Sequence, residues 1–587
     1  MKPNVSKTLA ASAVALLIAG CGGGSSSSSE STPPTQNEEP KSPTLQVSGT
    51  AATGLALAGS AVEVKCAAGK GSATTDGNGT FTLTIADGAL PCIIKVTGEA
   101  DGNTVTLHSV TEAADGQGTA VANVTPLTEM IVAQLTGALP GDLFDAFDAS
   151  SGRVTQAELV NATAAVVNAL KDATGIDLGS IDPFKSPLVP ATAGAPEQGN
   201  DYDQMLEKLK EKVPTASLPL IVNQIAAASA AGSSDTPSPV TLGDIMTSVE
   251  GGSLDGCPVA LSGKYRTIDY WGRTNVRQFD FKNKKVNRGD NGEPLFDITV
   301  DPAKPCEFVA AGTVDGVEAK FHFVIGSSGA GGYRSQNITS GGSTIGYFFP
   351  VQAHKLAAVT GAWNYLQSGY IPGDPVGHFP GQLAIGEDSK VGACDYRPEA
   401  NFACENDGEA SLSIVEASDG GFELQDQGFA ARLFGYRAPS GALTVFGTTN
   451  PTGAVGNEVE QTSIIAARPR ALSLPEAGTT SKYWNLQMNR SSMGVNSTLD
   501  VDANASTVRD VDAATGSYTR ERASDGMIDS VRANHPVDGF RFRAAGTSGE
   551  LQFGDLYQFP VTSLGITAAI NANPAMMHFY SISVTRP

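Results

Sequence analysis

The chain has 587 residues, with 39 Lys and Arg against 61 Asp and Glu, and a formal net charge of -22. A nucleic-acid binder needs clustered cations to displace counterions, so this balance excludes nucleic acid as a partner. At 41% hydrophobic residues the chain can build more than one core, and 66 Gly beside only 17% charged residues suit turn-rich β structure.

The first residues read as an export signal. Lys2 and Lys7 give a positive start, and Leu9 to Ile18 is an apolar run broken only by Ser12. That run is too short to cross a bilayer, which takes ~20 apolar residues. It ends on Leu17-Ile18-Ala19-Gly20-Cys21, small residues before a cysteine. This stretch resembles the lipobox of bacterial lipoproteins, with Ile18 standing where a leucine is usual. An ordinary signal peptide with a chance cysteine is the plainer alternative. The resemblance implies removal of residues 1–20, acylation (palmitate included) of Cys21 and a membrane partner reached through lipid. Gly22 follows, where an aspartate would imply retention at the inner membrane, so the implied location is the outer membrane. Residues 21–44, rich in Gly, Ser, Pro and Glu, have almost nothing to bury and read as a flexible tether.

Residues 45–118 read as a β-sandwich. Ala61 to Cys66 and Phe81 to Ile85 alternate apolar and polar, and Asp76-Gly77-Asn78-Gly79 between them predicts a hairpin turn. The run from Gly49 through Asp76-x-x-Gly79-x-Phe81 resembles carboxypeptidase-regulatory-like and immunoglobulin-like modules, which implies a spacer. Residues 119–250 change period and predict a small α-helical domain. Thr125-Pro126 and Thr155-x-x-Glu158 are helix starts, Gly137 and Gly175 are stops, and further helices are expected over 202–213 and 218–231.

Residues 255–587 predict antiparallel meanders in a triple repeat, with units 261–353, 359–470 and 478–587. Each unit opens on an aromatic strand: Gly263-Lys264-Tyr265, Gly361-Ala362-Trp363-Asn364 and Lys482-Tyr483-Trp484-Asn485. Each then has paired apolar residues before a valine: Phe279/Phe281 and Val286, Leu383/Ile385 and Val391, Leu499/Val501 and Val508. Each later has an Asp-Gly turn, at Asp315-Gly316, Asp419-Gly420 and Asp538-Gly539. Units two and three share a hairpin at Gly441 to Val445 and Gly549 to Phe553. The Gly-x-Trp opening of unit two resembles lipocalin-type barrels. The expected fold class is therefore multidomain and mainly β, with one small helical region.

Seven cysteines fit export. With Cys21 set aside, an even six remain, which reads as disulfides in an oxidising compartment. Six thiols allow fifteen pairings. Nearness along the chain favours Cys66 with Cys92, Cys257 with Cys306 and Cys394 with Cys404, none of them in a metal-ligand spacing.

No catalytic constellation stands out. Gly326-Ser327-Ser328-Gly329 lacks the surroundings of a nucleophile elbow, and the six histidines are scattered. No cofactor is expected. The one cation the sequence suggests is Ca2+ at Asp500-x-Asp502-x-Asn504, although Ala505 and Val511 stand where a calcium loop needs Gly and Glu. The expected role is non-catalytic binding or structural, with a glycan, a hydrophobic compound or an envelope protein as partner. An extracellular hydrolase (esterase or depolymerase type) with dispersed residues in 255–587 is the alternative.

Overall fold

The computed structural model describes residues 44–587, except 112–117, 193–198, 233–240, 289–293, 315–316, 338–341, 372–378, 396–411, 427–428, 451, 454–459, 492–493, 498–501, 549–550 and 573–577. The protein is mainly β with a short helical region, and its C-terminal part repeats one β unit three times.

The first two sheets form a sandwich. One holds Thr80–Ala86, Thr44–Thr50 and Thr119–Val121; the other holds Lys70–Thr74, Ala61–Ala68, Ala89–Ala100 and Asn103–Val110. Alternation buries Val62, Val64 and Cys66 on one sheet and Phe81, Leu83 and Ile85 on the other. Asp76-Gly77-Asn78-Gly79 is a turn, but it does not join paired strands as the sequence suggested. Ala61–Ala68 instead pairs with Lys70–Thr74, and the Asp76 turn carries the chain across to the other sheet. Gly69, at φ 80, makes the tight reversal that lets Lys70–Thr74 intervene. Cys66 and Cys92 face each other across neighbouring strands and are bonded.

The helices start and stop where side chains satisfy their open ends. Thr125 and Thr128 form a reciprocal cap on Pro126–Thr136, and Gly137 ends it at φ 59. Thr155 caps Gln156–Thr174, which ends on Gly175. Asn200 caps Asp201–Lys212, and a helix not expected from the sequence, Leu242–Glu250, opens on a Thr241–Asp244 box. Helices and sandwich share one hydrophobic core, running from Leu45 to Leu261.

Three eight-stranded antiparallel barrels follow. The first closes directly, Gly263–Asp269 pairing with Ser343–Pro350. The second runs from Gly361–Tyr370 to Gln461–Ala467, which pair, and a bridge from Lys390 to Ser413 completes its wall. The third closes where Thr480–Ser491 meets His578–Thr585. Tyr265 and Trp363 each lie in the opening strand and are buried, at 2% and 0% exposure.

The first barrel is filled by rings. Tyr265 stacks on Phe348 at 4.4 Å and Phe308 on Phe323 at 4.9 Å, with Phe279 edge-on to all four. The second is filled by Trp363, Tyr365, Leu383, Phe422 and Leu433. Buried rings and aliphatic side chains contribute about 1.5–3 kcal/mol each, so both interiors are cores where these residues fill them. One end of the first opens on a space of about 430 Å³ lined by Trp271, Arg273, Phe321, Ser335 and Thr344.

Candidate functional site

The third barrel is turned over. Along Thr480–Ser491 the side chains of Trp484, Leu486 and Met488 point outward and are buried, whereas Tyr483, Asn485 and Gln487 line the interior. The cause lies outside the barrel. Its outer face packs on the first barrel, so Leu486 and Ile582 belong to a core shared with that wall. Gly332 permits the approach: a Cβ there would stand 3.1 Å from Leu486 and 3.4 Å from Ile582. Apolar side chains go out to that contact, and period two sends the polar ones inward.

The interior is a cavity of about 310 Å³. Tyr518, Arg520 and Arg522 reach it from Ser517–Arg522, Asp529 from Ile528–Ala533, Arg541 and Arg543 from the next strand, and Gln558 from Leu556–Val561. Arg520 lies opposite Asp529 in the ladder, and Arg541 opposite Gln558. Asp529 is 1% exposed; it accepts from Arg520 Nε at 3.3 Å and stands 3.7 Å from Arg543 Nη1. Arg522 turns to Asp525 at 2.9 Å.

The Arg541 guanidinium makes no hydrogen bond or ion pair to any described residue. Burial lowers its guanidinium from the ordinary value, and the Arg520 charge pushes the same way while Tyr518 opposes. Burial likewise lowers Arg543, with Asp529 opposing. Among the described lining residues, four guanidinium groups and one carboxylate give a formal charge of +3. Guanidinium groups stay charged and only donate, so the four arginines can hold an anion.

These residues were not singled out from the sequence. The available signal was Phe540-Arg541-Phe542-Arg543 and Tyr518-Thr519-Arg520-Glu521-Arg522, where arginines two apart share one face of a strand. Alternation alone assigns them to the solvent side, because the default is apolar inward.

The residues the sequence did single out lie elsewhere. Cys257 and Cys306 are bonded beside the first barrel. Cys21 and Cys404 lie outside the described residues, and the Cys394 side chain is not described, so the third pairing falls outside them too. Asp500 is also outside them; Asp502 and Asn504 lie in the ladder-paired strand Asp502–Asp512, not in a loop. Among the described residues no cluster of His, Cys, Asp or Glu could hold a metal ion. Ser328 donates to the Leu564 carbonyl at 2.9 Å, in a turn buried between barrels. His322 faces outward from its strand and bonds Glu307 at 2.9 Å, whose other oxygen accepts from Trp484 Nε1 at 3.1 Å.

No family model matches the chain, and no curated protein does. Solved structures that share some likeness are two mutants of the vaccine antigen Transferrin Binding Protein B from Haemophilus parasuis Hp5. The double mutant is 9% identical with a TM-score of 0.20, over 53% of this chain and 65% of that one. The single mutant is 9% identical with a TM-score of 0.20, over 56% and 76%. Intact Ap-TbpB, N and C lobes, is 7% identical with a TM-score of 0.17, over 54% and 67%. The chain thus spans less than two thirds of the double mutant's length, and likeness this slight carries neither fold nor function across.

Proposed function

We propose that the protein is a lipid-anchored, non-catalytic binding protein of the bacterial outer membrane, and that the third barrel is its binding element. The observation that carries this is the contrast among three barrels of one design. Two are packed through their centres with rings and aliphatic side chains, and one is hollow there and polar. A hollow interior forgoes the stabilisation that packing gives its neighbours, which is the usual relation between a ligand site and its scaffold. The helices and sandwich then act as a spacer rather than as a binding element. The hydrolase alternative gains no support from Ser328, whose hydroxyl is engaged with a main-chain carbonyl.

Two measurements test the reading. The Cys21→Ser variant is expected to move from the membrane fraction to the soluble one; unchanged partition would remove the anchor. Protein purified from its own membranes should release a small molecule on denaturation, detected by mass spectrometry. Ser583→Trp, which fills the cavity, should release none. Equal release from both would remove the third barrel as the site.

A further inference from the structure

We propose that the third-barrel cavity binds a small, hydroxyl-bearing oxyanion, a sugar acid or a sugar phosphate, with Arg541 as its principal anion contact. This rests on the reading of that barrel as the binding element and adds the class of ligand.

A charge drawn partly out of water and set beside like charge is costly to hold without a partner, and Arg541 is half-buried beside Arg520. Arg541 is inside the barrel with no described partner, and Asp529, the only carboxylate among the described lining residues, is already engaged by Arg520 and Arg543. The surplus therefore awaits negative charge from outside the chain. The rest of the molecule carries the opposite sign in excess, at -22 overall, so the positive interior is a local arrangement rather than part of a basic surface. Guanidinium presents a planar fork that matches carboxylate or phosphate oxygens two at a time.

A second observation concerns the ligand's body. Gln558, opposite Arg541 in the ladder, is 7% exposed, and its Oε1 has no hydrogen-bond partner among the described residues. That amide can accept from a hydroxyl carried on the ligand. Asn485 and Ser583 line the same space, and the Tyr518 ring supplies a flat wall. An apolar ligand would leave both Arg541 and Gln558 unsatisfied. At about 310 Å³ the cavity suits a single sugar-sized molecule.

The test uses the full chain in detergent, with glucuronate, glucose 6-phosphate and glucose as probes, read by equilibrium dialysis and by thermal melting. At least one of the two anions is expected to bind and to raise the melting temperature, and which one does so distinguishes carboxylate from phosphate. Arg541→Gln should weaken that binding about tenfold or more, and glucose should not bind measurably. Arg541→Leu should raise the melting temperature of the empty protein by a few degrees, because it removes a half-buried cation, unpaired among the described residues, from beside the Arg520 charge. A lower melting temperature would mark Arg541 as structural and overturn the proposal. If glucose binds as tightly as the anions, and Ser583→Trp abolishes this while Arg541→Gln does not, the anion class fails and the third barrel stands as the site. If no probe binds and Ser583→Trp retains whatever molecule co-purifies with the wild type, both readings fail.

Discussion

Trp363 shows how a single residue closes a barrel here. Its indole is fully buried, its Nε1 donates to the Val359 carbonyl at 2.7 Å, and the Arg468 guanidinium lies 3.9 Å above the ring. Arg468 in turn donates to the Ala358 and Ala362 carbonyls, so it fastens the end of the last strand to the start of the first. Trp363→Ala should lower stability by ~3–5 kcal/mol, read from the denaturant midpoint; a loss below about 1 kcal/mol would mean that the ring is not a core plug. Asp203 is a different case. Burial raises its carboxyl to about 6, only partly offset by the hydrogen bond from the Ala191 amide, and its Oδ1 has no partner among the described residues. The folded chain therefore holds this proton more tightly than the unfolded chain does. The resulting stabilisation is complete below about pH 4 and lost as pH rises through about 6. Asp203→Asn should accordingly stabilise by about 1–2 kcal/mol at pH 7.5 and by almost nothing at pH 4. Unfolding curves at the two pH values decide it, and a pH-independent difference would refute the assignment.

At the scale of strands, alternation was legible and its direction was not. Period two marked the opening strand of every unit, and the buried faces of Tyr265 and Trp363 follow from it. In unit three the matching Trp-Asn pair misled, because Trp484 faces out toward Glu307 and Tyr483 faces in. Which face is core depends on what packs outside, and a strand's own residues do not carry that information. Turn residues behaved similarly. Asp419-Gly420 and Asp538-Gly539 both join the fourth and fifth strands of their barrels. Asp315-Gly316, outside the described residues, falls one strand later, between Glu307–Val314 and Val317–Ile325. Leu499 and Val501 are also outside them, and Val508 lies in the second strand of its barrel where Val286 and Val391 lie in the third. Gly549 and Glu550 are outside them as well, and Leu551–Phe553 forms a separate hairpin with Gly546–Ser548, whereas Leu443–Thr448 is barrel wall. Inversion makes a paired prediction. Trp484→Ala should cost ~3–5 kcal/mol through the lost packing on the first barrel, and Tyr483→Ala under about 1 kcal/mol, because its side of the strand is solvated. Equal costs in thermal or denaturant unfolding would contradict the inverted register.

For the whole molecule, the decisive feature is that one hydrophobic core passes through all three barrels. It contains the ring interior of the first, Phe434, Tyr436 and Phe446 from the outer wall of the second, and Leu486, Ile582 and Val584 from that of the third. Phe349 of the first barrel stacks on Phe446 at 4.1 Å, and the Tyr580 hydroxyl of the third bonds that of Tyr347 at 2.6 Å. The first barrel is therefore the hub, and the inversion of the third follows from its place against that hub. Sharing a core couples unfolding, because exposing one barrel's outer wall also exposes its neighbour's. The three should melt in a single calorimetric transition, although barrels of this size could each fold as a separate domain. Phe349→Ala together with Tyr347→Ala removes the rings that face Phe446, and should detach the second barrel into a transition of its own at lower temperature. The third barrel keeps its Leu486 and Ile582 contact at Gly332, so it should continue to melt with the first. Three separate transitions in the unmodified protein, or an unchanged single one in the double variant, would show that the shared core does not couple the barrels.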